Sequence, residues 1–373
     1  MAAASTSETH ETQVAPMRTG KRNVPLVIGS RGSALALWQT NWVLDRIREQ
    51  APHARFRVEE IKTQGDRTQH SNVPLTLLGD KSIFVAELER ALLAGELDVA
   101  VQPLNDLALV EVERGRDHSV PARGTGDPAA ASEVAIDAAV HSLKDLPGKL
   151  DGRLTLAAIP EREDPRDALV SRSGVGLLQL PAGATVATSS LRRKAQVLHA
   201  RPDLRVVDIR GNVDTRLRKA LALDGPDATI LAVAGLRRLG LEHNITELLP
   251  VDVIVPAVGQ GALAVEVRAS DRRLRHLLRL INHAPTHTAV AAERAVLAAL
   301  GGGCQVPLGA HASVLPGGAT LRLIAVVASV DGRRLVRVER QGPIGRPVAL
   351  GRGVARELLR GGAGEILREI LSR

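Results

Sequence analysis

Short apolar runs alternate with amphipathic stretches along most of this chain. Leu26-Val27-Ile28 reads as a strand buried on both faces, and it passes through Gly29-Ser30-Arg31-Gly32-Ser33 into a helical pattern from Ala34 to about Glu49. Val58 to Ile61 predicts a second strand. Phe84 to Ala94 predicts a helix with Phe84, Leu88, Ala91 and Leu92 on one face. Another strand closes at Val140, just before His141-Ser142-Leu143-Lys144-Asp145-Leu146-Pro147. The pattern restarts after Glu161–Asp167, with strands at Thr185–Ala187, Arg205–Ile209, Thr229–Val233 and Val253–Val255. A helix begins at Leu191, with Ser189 or Ser190 as its natural N-cap. Strands and helices that alternate over short connections predict parallel sheets covered on both faces.

From about Arg272 the texture changes. Two helices, the second from Thr288 to Leu300, end at Gly301-Gly302-Gly303. Strand-like stretches follow at Leu308–Val314, Leu321–Ser329 and Arg334–Glu339, then a helical tail over about 348–372. This predicts a separate α+β domain.

Clusters of Gly, Ser and Arg fall at the predicted strand ends, where open α/β sheets bind ligands. Gly29–Ser33 and Thr188-Ser189-Ser190 each precede a helix, so free N–H groups and the helix dipole make anion sites there. Arg192 and Arg193 flank the second, and Arg210-Gly211-Asn212-Val213 is followed one helical turn on by Arg216.

Composition sharpens this picture. Net charge is +8, carried by 42 arginines against seven lysines. Guanidinium forks match carboxylates and phosphates. The basic residues form no single block, and Trp38, Trp42, Phe56 and Phe84 are all the aromatics, so stacking platforms for nucleic acid are missing. A small anionic ligand in a cleft fits better. No apolar run is long enough to span a membrane, and residues 1–23 lack a hydrophobic core of the secretory kind and read as a disordered tail. A metal site is not expected, because one cysteine and no spaced histidine pair are available.

That cysteine, Cys304, follows the three glycines and is therefore expected on a loop, as a nucleophile or a covalent attachment point or simply as a small buried side chain. One irregularity stands beside it. Leu97–Leu107 echoes Ile136–Leu146, but the first copy lacks the His, Ser and Lys of the second. Arg114–Ala131 between them is loop-like.

Eight motifs in order resemble the porphobilinogen deaminase family, also called hydroxymethylbilane synthases. They are Gly29–Trp38 (GSRGSALALW), Val140–Pro147 (VHSLKDLP), Glu161–Asp167 (EREDPRD), Ala187–Arg193 (ATSSLRR), Arg210–Val213 (RGNV), Leu231–Leu241 (LAVAGLRRLGL), Pro256–Ala262 (PAVGQGA) and Gly302–Pro307 (GGCQVP). The resemblance implies two doubly wound domains like periplasmic binding proteins and a C-terminal α+β domain that carries the cofactor cysteine. By motif position these are 24–162 with 252–270, then 163–251, then 271–373. It implies a monomeric cytoplasmic transferase of tetrapyrrole biosynthesis, with porphobilinogen as its partner and no nucleic acid or membrane. Four porphobilinogens would be joined head to tail with loss of ammonia, and water would free hydroxymethylbilane. A dipyrromethane cofactor would be held as a thioether on Cys304.

The same resemblance assigns roles. Arg31, Ser33, Thr188, Ser189, Ser190, Arg192, Arg193, Arg210 and Arg216 would hold the carboxylates of cofactor and substrate, with Lys81, Ser142 and Lys144 beside them. Buried carboxylates need such partners. Asp145 would stabilise cationic pyrrole species and assist proton transfer. Phe84 matches an aromatic near the rings, and Gln260 lies at the second crossover. Leu77 stands where the family has a second lysine, and about 40 extra residues precede the catalytic strand. The expectation is that Asp137–Pro147 takes that strand, that about 98–135 loops out, and that Asp106 is a decoy. Two competing readings are a pyrrole-binding pseudoenzyme disabled by the insertion and a basic nucleic-acid-binding protein.

Overall fold

The computed structural model describes residues 25–63, 85–97, 135–301 and 306–371. The N-terminal tail, Leu77, Lys81, Phe84, Asp106, Cys304 and nearly all of the 98–135 insert lie outside the described residues.

The first sheet holds β1 (Leu26–Ser30), β2 (Phe56–Glu60), β3 (Ala138–Ser142), β4 (Leu154–Ala158) and, from much later in the chain, β10 (Leu263–Arg268), in the order β2-β1-β3-β10-β4. Helices α1 (Ala34–Gln50) and α2 (Ala86–Leu97) pack against it. On α1, Val43, Leu44 and Ile47 are buried against Ile28, Val140 and Val265, so the 3.6-residue repeat read from the sequence faces this core.

The second sheet repeats the plan. Its strands are β5 (Asp167–Ser171), β6 (Thr185–Ala187), β7 (Arg205–Val207), β8 (Ala228–Ala232) and β9 (Glu247–Leu249), in the order β7-β6-β8-β5-β9. Helices α3 (Leu191–Ala200), α4 (Val213–Leu221) and α5 (Val233–Arg238) belong to it.

These sheets are mixed rather than parallel throughout. β10 runs antiparallel to β3 and β4, and β5 antiparallel to β8 and β9. The reason lies in the path of the chain. Each of these strands follows a crossover from the other sheet, and each starts at the end where its neighbour finishes: Leu263 pairs with Ser142, and Asp167 with Ala232. Val253–Val255 is not a strand. Val253 and Ile254 donate to the Pro250 carbonyl in a turn, and Val255 is buried against Ile324 and Val326 of the third sheet. Burial between lobes, not sheet pairing, explains that apolar run.

Of the two echoing segments, the second fills the central slot. Ala138–Ser142 pairs with β1 on one side and β10 on the other, and Asp137 accepts from the Val27 N–H at 2.8 Å.

The third sheet is antiparallel, β11 (Leu308–Val314), β12 (Thr320–Ala328) and β13 (Leu335–Pro343). α6 (Arg272–Leu278) packs on the first sheet, and α7 (Ala284–Ala299) leads into the third. The helical tail is two helices, α8 (Pro347–Arg360) and α9 (Ala363–Leu371), broken at Gly361-Gly362, where Gly362 has φ +97°.

Candidate active site

The carboxyl ends of β1 and β3 face those of β6 and β7 across a cleft of about 560 Å³. One wall carries Arg31, Ser33, Gln39, Ser142, Lys144 and Asp145. The other carries Ser190, Arg192, Arg193, Arg210 and Arg216, and Gln260 lies between them. Leu297, Val306 and Leu308 close the cleft from the third lobe.

Helix starts shape both walls. Ser33 caps α1, its Oγ accepting from the Ala36 N–H at 3.3 Å, and Ser190 caps α3 by accepting from the Arg193 N–H at 3.4 Å. β3 ends in a single 3-10 turn, Leu143–Asp145, that presents Lys144 and Asp145 to the cleft while Leu143 is buried. The second crossover passes against this turn. A Cβ on Gly259, at φ +71°, would lie 2.0 Å from the Leu143 side chain, so only glycine fits.

Arg192 and Arg193 line the cleft, but they are not unattached forks. Both pair with Asp167, which is fully buried at the start of β5: Arg192 Nη1 lies 2.7 Å from Oδ2, and Arg193 Nη2 2.8 Å from Oδ1. Arg192 also donates to the Val255 carbonyl and Arg193 to that of Ile230. Gln260 Nε2 donates to Asp167 and to the Pro165 carbonyl, while its buried Oε1 has no partner among the described residues. Arg216 Nε donates to the Gly211 carbonyl. Thr188 and Ser189 are absent from the cleft wall. Thr188 Oγ1 accepts from the Ser190 N–H, and Ser189 Oγ bridges to the Ile209 backbone, so both hydroxyls shape the loop. Lys81, Phe84 and Cys304 lie outside the described residues. Leu297 and Val306, on either side of Cys304 in sequence, both line the cleft.

Charge is concentrated here. Among the described residues that line the cleft, six cations (Arg31, Lys144, Arg192, Arg193, Arg210 and Arg216) meet two carboxylates, Asp145 and Asp214. Burial pulls Lys144 down to about 8; Asp145 works against that and Arg193 adds to it. Burial and the Arg193 charge bring Arg216 to about 10, still protonated at neutral pH. Burial alone would raise the Asp167 carboxyl, but Arg192 and Arg193 outweigh it and hold the group well below the usual range.

Several residues that organise the cleft had no place in the sequence-based site. Gln39 exchanges hydrogen bonds with Ser142 Oγ at 2.9 and 3.0 Å. Asp167 closes the EREDPRD motif; its signal was a carboxylate opening a short, fully buried strand. Glu293 of α7 is buried and bound by Arg162 at 2.6 Å, by the Gly259 N–H and by the Ala312 N–H. His141 and Glu266 meet 3.0 Å apart behind the Ser142–Asp145 segment.

Two family models match the chain. "Porphobilinogen deaminase, dipyromethane cofactor binding domain" covers residues 26–125 and 129–276, and "Porphobilinogen deaminase, C-terminal domain" covers 287–360. A porphobilinogen deaminase of Desulforudis audaxviator is 46% identical over 92% of this chain and 97% of its own length. One of Pelobacter propionicus is 44% identical over 93% and 98%. Among solved structures, a substrate binding protein of an amino acid ABC transporter aligns over 69% of this chain and 92% of its own, at 10% identity and a TM-score of 0.31, too distant to bear on the reading.

Proposed function

The chain belongs to the porphobilinogen deaminase family, and from that premise we propose that Asp145 is its catalytic group and Cys304 its attachment point. The activity is that of a transferase: four porphobilinogen molecules are joined head to tail with loss of ammonia, and water releases hydroxymethylbilane. The family's cofactor is a dipyrromethane, which when bound supplies the primer for chain growth.

The residues present fit such a group. Each of its two pyrroles carries an acetate and a propionate, and the cleft offers six cations. Arg31, Lys144, Arg210 and Arg216 are the groups best placed to meet those carboxylates, with the capped helix starts at Ser33 and Ser190 adding N–H donors. Arg192 and Arg193 are held in position by Asp167. Cys304 stands two positions before Val306 in sequence, and Val306 lines the cleft.

The observation that carries the reading is Asp145 at the end of β3, set among these cations on the floor of a shared cleft. Its carboxylate can stabilise positive charge that develops on a pyrrole and align the ring through its N–H. The three sheets support a division into 24–162 with 252–270, 163–251 and 271–373. Among the described residues no helix is long and apolar enough to cross a membrane; a monomer in the cytoplasm is the form proposed.

The test is turnover of porphobilinogen by the purified full chain, read as ammonia and hydroxymethylbilane. Asp145→Ala should lose about 100-fold or more in kcat, and Asp106→Ala should keep wild-type activity. Full activity in the Asp145 variant would refute the assignment, and an inactive wild type that still binds porphobilinogen would favour the pseudoenzyme.

A further inference from the structure

Behind the cleft, β3 and β10 bring two ionisable side chains together. His141 Nε2 and Glu266 Oε2 are 3.0 Å apart, and both side chains are buried. A carboxylate only accepts, so the neutral ring carries its proton on Nε2 and its lone pair on Nδ1. Nδ1 has no hydrogen-bond partner among the described residues, and His141 is one of the residues that line the cleft, four positions before Asp145.

The surroundings are built for a charge. Glu89 of α2 and Arg294 of α7 face the pair. Burial and the Glu266 charge push the Glu89 carboxyl up, towards its neutral form. Arg294 Nη1 and Glu266 Oε1 are both buried without partners among the described residues. A histidine with only a packing role needs neither a border on the cleft nor a fully buried carboxylate with a spare oxygen.

We propose that His141 is a second proton carrier of the reaction, its tautomer fixed by Glu266 and its Nδ1 aimed at the pyrrole that has just been joined. The proposal rests on the reading of the cleft given above. The balance is as follows. The aminomethyl group enters as an ammonium, and its C–N bond breaks with the electron pair leaving on ammonia. A C–C bond then forms between the methylene carbon and the free α carbon of the terminal pyrrole. That α carbon now holds one proton too many; it passes to Nδ1 and then to the ammonia, which leaves as ammonium. His141 returns to neutral, and Asp145 keeps the task of stabilising charge.

Two measurements test this. In nitrogen-15 NMR of histidine-labelled protein, the resonance that vanishes in His141→Gln should belong to an Nε2-protonated ring; an Nδ1-protonated ring overturns the proposal. In steady-state assays His141→Gln should lower kcat about 100-fold with KM within about twofold. Substrate deuterated at the free α carbon should show a larger isotope effect in this variant than in the wild type, because proton removal has become slow. Glu266→Gln should fall in the same direction by about tenfold. An unchanged kcat in His141→Gln, or an isotope effect that does not grow, overturns the role of His141. Failure of the wild type to turn over porphobilinogen instead overturns the reading of the cleft on which it rests.

Discussion

Lys144 shows how the cleft's charge is set at the residue scale. Burial depresses it to about 8, so it is cationic below that pH and loses its charge above it. Bound carboxylates favour the protonated form, and affinity for an anionic substrate should fall as pH rises through 8. We expect KM for porphobilinogen to rise several-fold between about pH 7.5 and 9.5, and Lys144→Arg to flatten that rise, since a guanidinium stays charged there. A pH series of KM for both proteins checks it; a flat wild-type profile would contradict it. At this scale the strand-end Ser, Arg and Lys that line the cleft were legible as an anion site before any fold was known, whereas Thr188 and Ser189, read the same way, shape the loop instead. Asp167 and Gln39 were not legible. Their work is to hold Arg193 and Ser142, and such pairings join residues 26 and 103 positions apart.

Among the elements, the joints carry the most weight. Glu293 on α7 takes Arg162 from the first crossover, the Gly259 N–H from the second and the Ala312 N–H from β11. One buried carboxylate thus ties both crossovers to the third lobe. Burial would raise it, but the Arg162 charge and the His311 contact bring it to about 2. The folded value lies below the unfolded one. Its stabilisation is therefore complete above about pH 4.5 and fades as pH falls towards 2. Glu293→Gln should cost about 3–5 kcal/mol, because it leaves Arg162 buried without its counter-charge. Denaturant unfolding at neutral pH reads that loss, and the difference from wild type should shrink in acid. An unchanged midpoint would show that the joint is held elsewhere. Strand and helix alternation was readable in the sequence, but strand direction was not. β5 and β10 run antiparallel because of where the chain re-enters each sheet, a property of the crossovers rather than of any local pattern. Leu154–Ala158 and Glu247–Leu249 escaped notice as well, since short runs interrupted by polar residues carry little periodicity.

For the whole molecule, the decisive fact is that three lobes share one cationic cleft. The first two sheets set Asp145 and Lys144 against Arg192, Arg193, Arg210 and Arg216, and the third lobe brings Leu297 of α7, Val306 and Leu308 of β11 to its edge. The resemblance carried by the ordered motifs implied two doubly wound domains and a C-terminal α+β domain, and three sheets are present among the described residues. Which of the two echoing segments fills the sheet was settled by pairing: Ala138–Ser142 holds the slot between β1 and β10. The most direct measurement is the intact mass of the full chain, with peptide mapping, before and after a few equivalents of porphobilinogen. The account predicts a dipyrromethane on Cys304 at the outset, then a ladder of adducts, each heavier by one porphobilinogen less ammonia, all mapping to the Cys304 peptide. An active protein with an unmodified Cys304, or pyrrole units attached to another residue, would contradict it.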